Sequence, residues 1–231
     1  MNLQTNIKSP ATRPPLRGSE IFYPESDGEP MAETDFHAKL LIYLRNALEI
    51  FFAERQDVYV TGNIMFYYEE GEPKEVISPD VMVCFGIPKG NRRSYKTWEE
   101  NDVVPSVVIE ISSRGTWRKD RVEKRALYAM LGVKEYFIFN PLDLKSDFSF
   151  VAFQLKNGEY DALEITNGRV RSEVLDLELV VKNSTLRLFN PAANEFLKTT
   201  EELAEAVEEL AEENSELKSE IARLKKLLGN K

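Results

Sequence analysis

Two carboxylates in apolar surroundings are the residues of this sequence best suited to chemistry. Glu110 stands between two isoleucines in the run VVIEIS, and Asp80 precedes an apolar run in SPDVMVCF. An ionised carboxylate taken out of water costs several kcal/mol unless a cation, a hydrogen-bond donor or a pKa shift compensates it. Two such groups that meet in a partly buried place either share a proton or bind a hard divalent cation. We favour the cation, Mg²⁺ or Mn²⁺.

A basic segment follows Glu110. In RGTWRKDRVEKR, residues 114–125, six cationic side chains stand against two acidic ones. Helical spacing places Asp120, Lys124 and Tyr128 on one face, so that Lys124 can lean over the carboxylates. There its ammonium would stabilise charge on a phosphoryl oxygen or orient an attacking water. The other cations form either a solvated face or phosphate contacts. The candidates for phosphate contact are Arg114, Arg118, Lys119 and Arg121.

Two strands must bring the carboxylates together. Side chains alternate along a strand, so Glu110 shares a face with Val108 and Ser112 and emerges near the strand's C-terminal end. Asp80 begins another strand, and the carboxylates converge if the two strands are neighbours. The helix that follows Glu110 should pack on the sheet through a second, apolar face. The residues of that face are Val122, Ala126, Ala129 and Met130.

Elsewhere the chain predicts an α/β fold. Apolar spacing indicates a first helix within residues 31–54, with Thr34 or Asp35 as its N-cap. Residues 57–70 and 75–86 are rich in β-branched and aromatic side chains, which favours two antiparallel strands.

The second half of the sheet is predicted from a strand, helix, strand unit. It runs from VPSVVIEIS through a helix at about 118–131 to EYFIFNP, and such a unit normally makes a right-handed parallel crossover. Two Asn-Gly pairs within 149–190 then predict hairpins that extend or cap the sheet. We therefore expect a mixed sheet flanked by helices, followed by C-terminal β-hairpins.

The same residues resemble a known family. The PD pair at 79–80, the apolar-flanked Glu110, the helix pattern Asp120, Lys124, Tyr128 and the run GVKEYFIFNP are similar to the Uma-type putative restriction endonuclease family. That family belongs to the PD-(D/E)XK nuclease superfamily, and the resemblance extends over about residues 30–190.

The resemblance implies a restriction-endonuclease-like core and magnesium-dependent hydrolysis of phosphodiester bonds in DNA. It makes Asp80 and Glu110 the metal ligands and Lys124 the catalytic lysine, displaced onto the helix. The superfamily pattern has lysine two residues after the glutamate, where this sequence has Ser112. Polar residues of the family's first helix are matched by Glu33 and His37, which we regard as accessory candidates.

Composition limits the remaining classes. One cysteine and one histidine cannot form a disulfide or a Cys/His zinc site within the chain, which favours a reducing, cytoplasmic location. The start of the sequence lacks the apolar stretch of a signal peptide, and no apolar run approaches the roughly 18 residues that cross a bilayer. No membrane partner is expected for that reason. A net charge of −9 argues against a general nucleic-acid coat but permits a local basic site.

Two functions stay open on this basis. The first is a metal-dependent endonuclease acting on DNA, although RNA cleavage would need the same chemistry. The second is a nuclease-like fold that binds DNA or a protein as a dimer without cutting. P-loop, serine-hydrolase and zinc-protease motifs are absent from the sequence.

A heptad repeat occupies residues 200–229. Leucines recur every seventh residue from Leu203 to Leu224, with Val207, Asn214 and Ile221 between them, which is typical of a coiled coil. We predict a homodimer through a parallel coiled coil, the alternative being one amphipathic helix folded onto the core. The predicted organisation is thus an extended arm (1–30), a nuclease domain (31–195) and a dimerisation helix (200–229).

Overall fold

The computed structural model describes residues 21–26, 34–113, 115–142 and 149–229, the last three of them (227–229) as backbone. In these ranges the helices are Asp35–Phe51 (α1), Arg125–Leu131 (α2) and Thr200–Gly229 (α3), with a 3₁₀ turn at Thr97–Glu99 and a π-helix at Lys119–Lys124. The strands are Val58–Thr61 (β1), Phe66–Tyr67 (β2), Val76–Ile77 (β3), Val81–Phe85 (β4), Tyr95–Lys96 (β5), Val107–Ile111 (β6), Glu135–Phe139 (β7), Phe150–Lys156 (β8), Glu159–Ala162 (β9), Arg169–Ser172 (β10), Leu177–Lys182 (β11), Thr185–Asn190 (β12) and Glu195–Phe196 (β13).

A mixed sheet forms the centre of the molecule, in the order β1-β4-β6-β7-β8-β9. The pair β6 and β7 is parallel and the other neighbours are antiparallel, so the predicted mixed α/β sheet is confirmed. The two strands that carry the predicted carboxylates are neighbours, with Val81 opposite Ile109.

Two apolar cores cover the two faces of this sheet. One lies beneath α1 and the sheet β10-β11-β12-β13 and includes Leu44, Ile109 and Leu188. The other includes Val108 and the buried Tyr128 of α2. Because side chains alternate along β6, Glu110 belongs to the face of Val108, as its sequence position predicts.

Helix α1 begins where the sequence predicts a cap. The Thr34 side chain accepts a hydrogen bond from the backbone N–H of His37, which satisfies one of the unpaired donors of the first turn. The helix then buries one apolar face against the sheet. Residues of that face include Leu40, Leu41, Leu44, Ala47 and Leu48.

The predicted strand at 57–70 is broken into β1 and β2. Asn63, between them, adopts a left-handed backbone conformation with φ 51°. At Gly62 an added Cβ would lie 2.1 Å from the carbonyl oxygen of Asp80. The backbone of β1 thus passes so close to the start of β4 that only glycine fits, and the chain turns away immediately afterwards.

The two Asn-Gly pairs make tight turns, as predicted. Asn157 and Gly158 both have positive φ and join β8 to β9. Asn167 and Gly168 do the same within a short bridge that leads into β10. The second pair does not extend the central sheet, however, because β10 to β13 form a separate sheet that packs on the α1 side.

Helix α3 is anchored to the globular part at its beginning. Thr199 and Glu202 form a capping box, in which each side chain accepts the backbone N–H of the other residue. Arg187 of β12 donates two hydrogen bonds to the Glu202 carboxylate, at 2.7 and 3.2 Å. The start of the helix is therefore tied to the globular part of the protein.

Candidate functional site

Asp80 lies immediately before β4, with its carboxylate aimed at the end of β6. Its Oδ2 accepts the backbone N–H of Ile111 at 2.7 Å, and its Oδ1 lies 3.3 Å from Nε2 of His37. This hydrogen bond to Ile111 ties Asp80 to the peptide that follows Glu110. The two carboxylates that the sequence singles out are therefore brought into one place.

Glu110 is almost fully buried, with 1% of its surface exposed. The hydroxyl of Tyr128 donates to Oε1 at 2.8 Å, and Nζ of Lys124 lies 2.8 Å from Oε2. Both oxygens thus have a partner from the segment after β6. These partners compensate the free-energy cost of burying a carboxylate in an apolar strand.

Asp120 is a second buried carboxylate at this point, and its Oδ2 accepts the hydroxyl of Ser112 at 2.7 Å. Its Oδ1 lies 3.1 Å from Nζ of Lys124, but the two groups are not aligned as a hydrogen bond. Within the described residues Oδ1 of Asp120 is thus a buried acceptor with an ionic neighbour and no hydrogen bond. Lys124 stands between the two carboxylates.

A π-helix supplies this arrangement. Residues Lys119–Lys124 form it, and α2 continues directly from its end. Such wider turns occur mostly within α-helices and frequently at functional sites. The hydroxyl of Tyr136 on β7 donates to the backbone carbonyl of Asp120 at 3.0 Å, which holds the π-helix against the sheet.

The prediction that the face of Val122, Ala126, Ala129 and Met130 packs on the sheet is wrong for three of these residues, since Ala129 alone of the four is partly buried against the core. Val122 and Met130 are 61% and 71% exposed, whereas Asp120 and Tyr128 are buried. The polar face docks instead, because Glu110, Ser112 and Tyr136 provide hydrogen-bond partners for it on the sheet. Partnered polar groups can be buried at little net cost, and here they replace an apolar contact.

Burial and charge act in opposite directions on the central pair. Burial raises the pKa of Glu110 to about 8, although Lys124 opposes the shift. For Lys124, burial disfavours the ammonium, but Glu110 and Asp120 outweigh it and raise its pKa above the ordinary value. Lys124 is therefore held protonated, and Glu110 is a carboxylate that an added cation would stabilise in its ionised form.

A pocket of about 280 Å³ opens over these groups. Its polar lining side chains are Thr34, His37, Asp80, Glu110, Ser112, Ser113, Thr116, Asp120 and Lys124. A larger cleft of about 610 Å³, lined by residues such as Lys89 and Arg92, lies around β1 and holds none of the predicted catalytic side chains. The predicted catalytic side chains Asp80, Glu110 and Lys124 therefore all line the smaller pocket.

The structure brings together most of the predicted site residues. The pocket is lined by Asp80, Glu110 and Lys124 together with His37, Ser112 and Asp120. Tyr128 does not line the pocket but donates a hydrogen bond to Glu110. Glu33 and Arg114 lie outside the described residues.

The phosphate-contact candidates in the described part of the chain do not line the pocket. Arg118 and Lys119 are exposed, and Arg121 lies over the ring of Trp117 at 5.1 Å.

Sequence reasoning missed three contributors. Gly62 fixes the backbone of Asp80 by close approach, and the backbone N–H of Ile111 orients its carboxylate. Thr116 lines the pocket and accepts the backbone N–H of Ser113 at 3.0 Å. The glycine in TGN was a usable signal, since an isolated glycine in a strand pattern indicates close backbone approach. Backbone donors leave no trace in residue types.

The donor set suits a hard cation. Among the described residues no group of three or more His, Cys, Asp or Glu side chains is arranged as a metal site. Mg²⁺, however, commonly uses only one or two carboxylates together with water and substrate oxygens. Asp80 and Glu110 supply two carboxylates, and the unbonded Oδ1 of Asp120 marks a place where positive charge would be favoured. The residues present therefore fit Mg²⁺.

A family model described as "Uma2: Putative restriction endonuclease" matches residues 13–188. The chain belongs to this family. The matched residues include all those that line the pocket described above, and membership of the family supports a nuclease function. The family resemblance inferred from the motifs around Asp80, Glu110 and Lys124 is thereby confirmed.

A solved structure is also similar to this chain. It is the crystal structure of a putative nuclease belonging to DUF820 from Anabaena variabilis ATCC 29413, with 14% sequence identity and a TM-score of 0.48. The match covers 69% of this chain and 87% of the other. No curated protein matches the chain. Among the described helices, none has the length and apolar character to cross a bilayer.

Proposed function

We propose that this protein is a Mg²⁺-dependent endonuclease that hydrolyses phosphodiester bonds of DNA, with Asp80 and Glu110 as metal ligands and Lys124 as the catalytic lysine. The observation that carries the proposal is the convergence of these three side chains in one pocket at the adjacent ends of β4 and β6. Mn²⁺ has the same preference for oxygen ligands and would substitute. The family to which the chain belongs supports the same reaction class.

A magnesium ion held by Asp80 and Glu110 would polarise the scissile phosphate and lower the pKa of a bound water. The remaining work falls to the chain's own residues. Lys124 is kept protonated between two carboxylates, and its ammonium can bind an oxygen of the phosphate on which charge accumulates. This provides from the helix the charge that the superfamily pattern expects at the position of Ser112.

Ser112 has a different duty in this chain. It donates to Asp120, which in turn faces Lys124. Ser112 and Asp120 thus act as positioning residues, since Ser112 holds Asp120 and Asp120 holds the lysine at the pocket. His37 is placed to hold Asp80 in the same manner.

One observation favours the alternative, a non-cleaving DNA- or protein-binding protein on a nuclease fold. Both oxygens of Glu110 are already engaged, one by Lys124 and one by Tyr128. If that ion pair is too strong to open, no cation can enter. The two functions are therefore separated by whether a divalent cation binds at all.

Metal-linked stability separates them directly. Wild type and Asp80→Asn are unfolded thermally with increasing Mg²⁺ or Mn²⁺, and in parallel incubated with supercoiled DNA and with RNA. We expect the cation to raise the Tm of wild type but not that of Asp80→Asn, because a ligand that binds only the folded state stabilises it. We also expect wild type, and not Asp80→Asn, to nick DNA. Glu123→Gln, which likewise neutralises one carboxylate but at an exposed position of the π-helix outside the pocket, is the control and should behave as wild type.

Three outcomes would decide against the proposal or narrow it. Equal cation stabilisation of wild type and Asp80→Asn would remove Asp80 from the metal site. Absence of any cation effect together with DNA binding would favour the non-cleaving alternative. Cleavage of RNA in place of DNA would keep the site and overturn the substrate.

A further inference from the structure

Helix α3 presents an apolar stripe that no described part of the protein covers. Val207, Leu210, Leu217, Ile221 and Leu224 are each about half exposed or more, from 48% to 64%. Leu203, at the anchored start of the helix, is partly covered and lines a small groove against α1 with Ile50. A single amphipathic helix folded onto its own core would bury such side chains. The alternative of a helix packed on the core therefore disagrees with the structure.

The stripe has the width of a coiled-coil seam. Leucines occupy the d positions from Leu203 to Leu224, and Val207, Asn214 and Ile221 occupy the a positions. Leucine at d with β-branched residues at a favours two strands. From Leu203 to Leu224 the residues beside the seam are charged or small, so the apolar surface there is only two positions wide, as a partner helix of the same kind requires.

Charge beside the seam selects the partner and its direction. Glu213 and Glu220 hold g positions, and Lys218 and Lys225 hold the e positions five residues later. Two parallel copies bring each g glutamate next to an e lysine of the other chain. Two antiparallel copies would instead place g beside g and e beside e, so that like charges oppose one another. The pattern is complementary to a second copy in the parallel direction.

Asn214 agrees with this assignment. It is the polar a position in the middle of the seam, and in the single chain its side-chain amide donates to the carbonyl of Leu210 at 2.8 Å. In a parallel pair the two Asn214 side chains meet and can hydrogen-bond to each other, whereas in an antiparallel pair each would face apolar side chains. A buried asparagine at one a position fixes register and direction in this way.

We infer that this protein forms a parallel homodimer through a two-stranded coiled coil of α3, which goes beyond the proposed nuclease activity. The anchor between Arg187 and Glu202 fixes the start of each helix to its own globular part. Both globular parts then lie at the same end of the coiled coil. Two pockets are thereby held near each other on one side of the dimer.

The first experiment measures mass in solution by sedimentation equilibrium of the full chain. We expect twice the chain mass for wild type and the single chain mass for Leu210→Glu/Leu217→Glu, because glutamates cannot be buried in the seam. The matched control is Ser219→Glu/Ala222→Glu, which adds the same charge on the same helix away from the seam and should remain dimeric. Circular dichroism and thermal unfolding confirm that the globular part of each variant is folded.

The second experiment tests direction. Cys84 is the single cysteine and is fully buried, so Leu210→Cys introduces the accessible thiol. In a parallel dimer position 210 faces its own mate, and mild oxidation should cross-link the chains. Ser219→Cys, on the outer face of the helix, should cross-link much less.

The inference is overturned by several results. A monomeric wild type at micromolar concentration would exclude the seam as an interface. A dimer that survives Leu210→Glu/Leu217→Glu would place the interface in the globular parts. A dimeric Leu210→Cys variant that does not cross-link would exclude the parallel direction. None of these results depends on whether the protein cleaves DNA.

Discussion

Nζ of Lys124 lies 2.8 Å from Oε2 of Glu110, and this buried ion pair joins the π-helix to the central strand of the sheet. The pair gives each residue two possible duties. The pair can stabilise the fold, because each charge compensates the other. Alternatively, Glu110 can bind a cation while Lys124 binds a phosphate oxygen. The predictions below separate these duties.

Lys124→Ala should lower cleavage more than it weakens metal binding. The ammonium acts on substrate charge and competes with the cation for Glu110, so we expect a rate loss of roughly 10²–10³-fold with metal affinity unchanged or higher. Removing one member of a buried pair should also cost about 3 kcal/mol of unfolding free energy. Single-turnover cleavage and Mg²⁺-dependent thermal unfolding measure the two effects.

The control for this variant is Lys134→Ala, which removes the same charge from an exposed position between α2 and β7. It should leave both measurements unchanged. Equal losses of cleavage and metal binding in Lys124→Ala would show that the lysine has a structural role only.

Metal binding should strengthen as pH rises. Burial raises the pKa of Glu110 to about 8, although Lys124 opposes the shift, so in the protein without metal the ion pair with Lys124 is complete only above that pH and protonation of the carboxyl weakens it below. The contribution of the raised pKa to stability is complete below the ordinary pKa of the group and is lost as pH rises through about 8. A cation binds the ionised form, so the rise in Tm caused by Mg²⁺ should be larger at about pH 9 than at about pH 6.

The control for pH is Glu110→Gln, which cannot ionise at this position. Its Tm should show no Mg²⁺ dependence at either pH. A wild-type protein with the same Mg²⁺ effect at both values would mean that Glu110 is already ionised when metal arrives.

Strand periodicity is the reason that much of the site could be predicted. It places Glu110 on the face opposite Ile109, whereas the pairing of β4 with β6, on which the convergence of the carboxylates depends, is a condition that the sequence leaves open. The cap at Thr34 and the tight turn at Asn157 could likewise be recognised from local residue types, because each depends on one or two neighbouring residues.

The helix after β6 could not be predicted in the same way. A regular α-helix and a π-helix place side chains at different angles, and no residue type in KDRVEK specifies the wider turn. Regular helical spacing therefore predicts a docked face of Val122, Ala126, Ala129 and Met130, although Val122 and Met130 are exposed. Contacts between distant segments, such as Gly62 against Asp80, are equally invisible until the sheet is assembled.

Gly62→Ala should disable the site without touching a catalytic side chain. An added Cβ would lie 2.1 Å from the carbonyl oxygen of Asp80, and a backbone atom cannot move aside cheaply. We expect Asp80 to shift, the Mg²⁺-dependent rise in Tm to be lost, and stability to fall by about 1–3 kcal/mol.

Gly90→Ala is the control for that substitution. Its nearest neighbour would be the flexible end of Arg92 at 3.8 Å, so this variant should resemble wild type. Wild-type metal-linked stabilisation in Gly62→Ala would show that the close approach does not position Asp80.

The last prediction concerns a tie between the two sheets. Glu135 of β7 is fully buried, and its carboxylate accepts the hydroxyl of Ser172 and the backbone N–H groups of Glu173 and Val174. The same hydroxyl oxygen accepts the backbone N–H of Leu175 at 3.0 Å. This network fixes β10 and the turn after it to the central sheet. None of the residues of the network lines the pocket.

Ser172→Ala removes both hydrogen bonds of the hydroxyl at once. It leaves a carboxylate oxygen and a backbone N–H buried without their partner, and each should cost about 1–3 kcal/mol. For a domain of this size the sum, about 2–6 kcal/mol, corresponds to a fall in Tm of roughly 4–24 °C. Ser215→Ala, exposed on α3 outside the seam, should unfold as wild type does. Mg²⁺ should nevertheless raise the Tm of Ser172→Ala by as much as it raises the Tm of wild type, because Asp80 and Glu110 keep their surroundings. Loss of that stabilisation would mean that the hairpin sheet helps to position the site, whereas an unchanged Tm would mean that the tie contributes no stability.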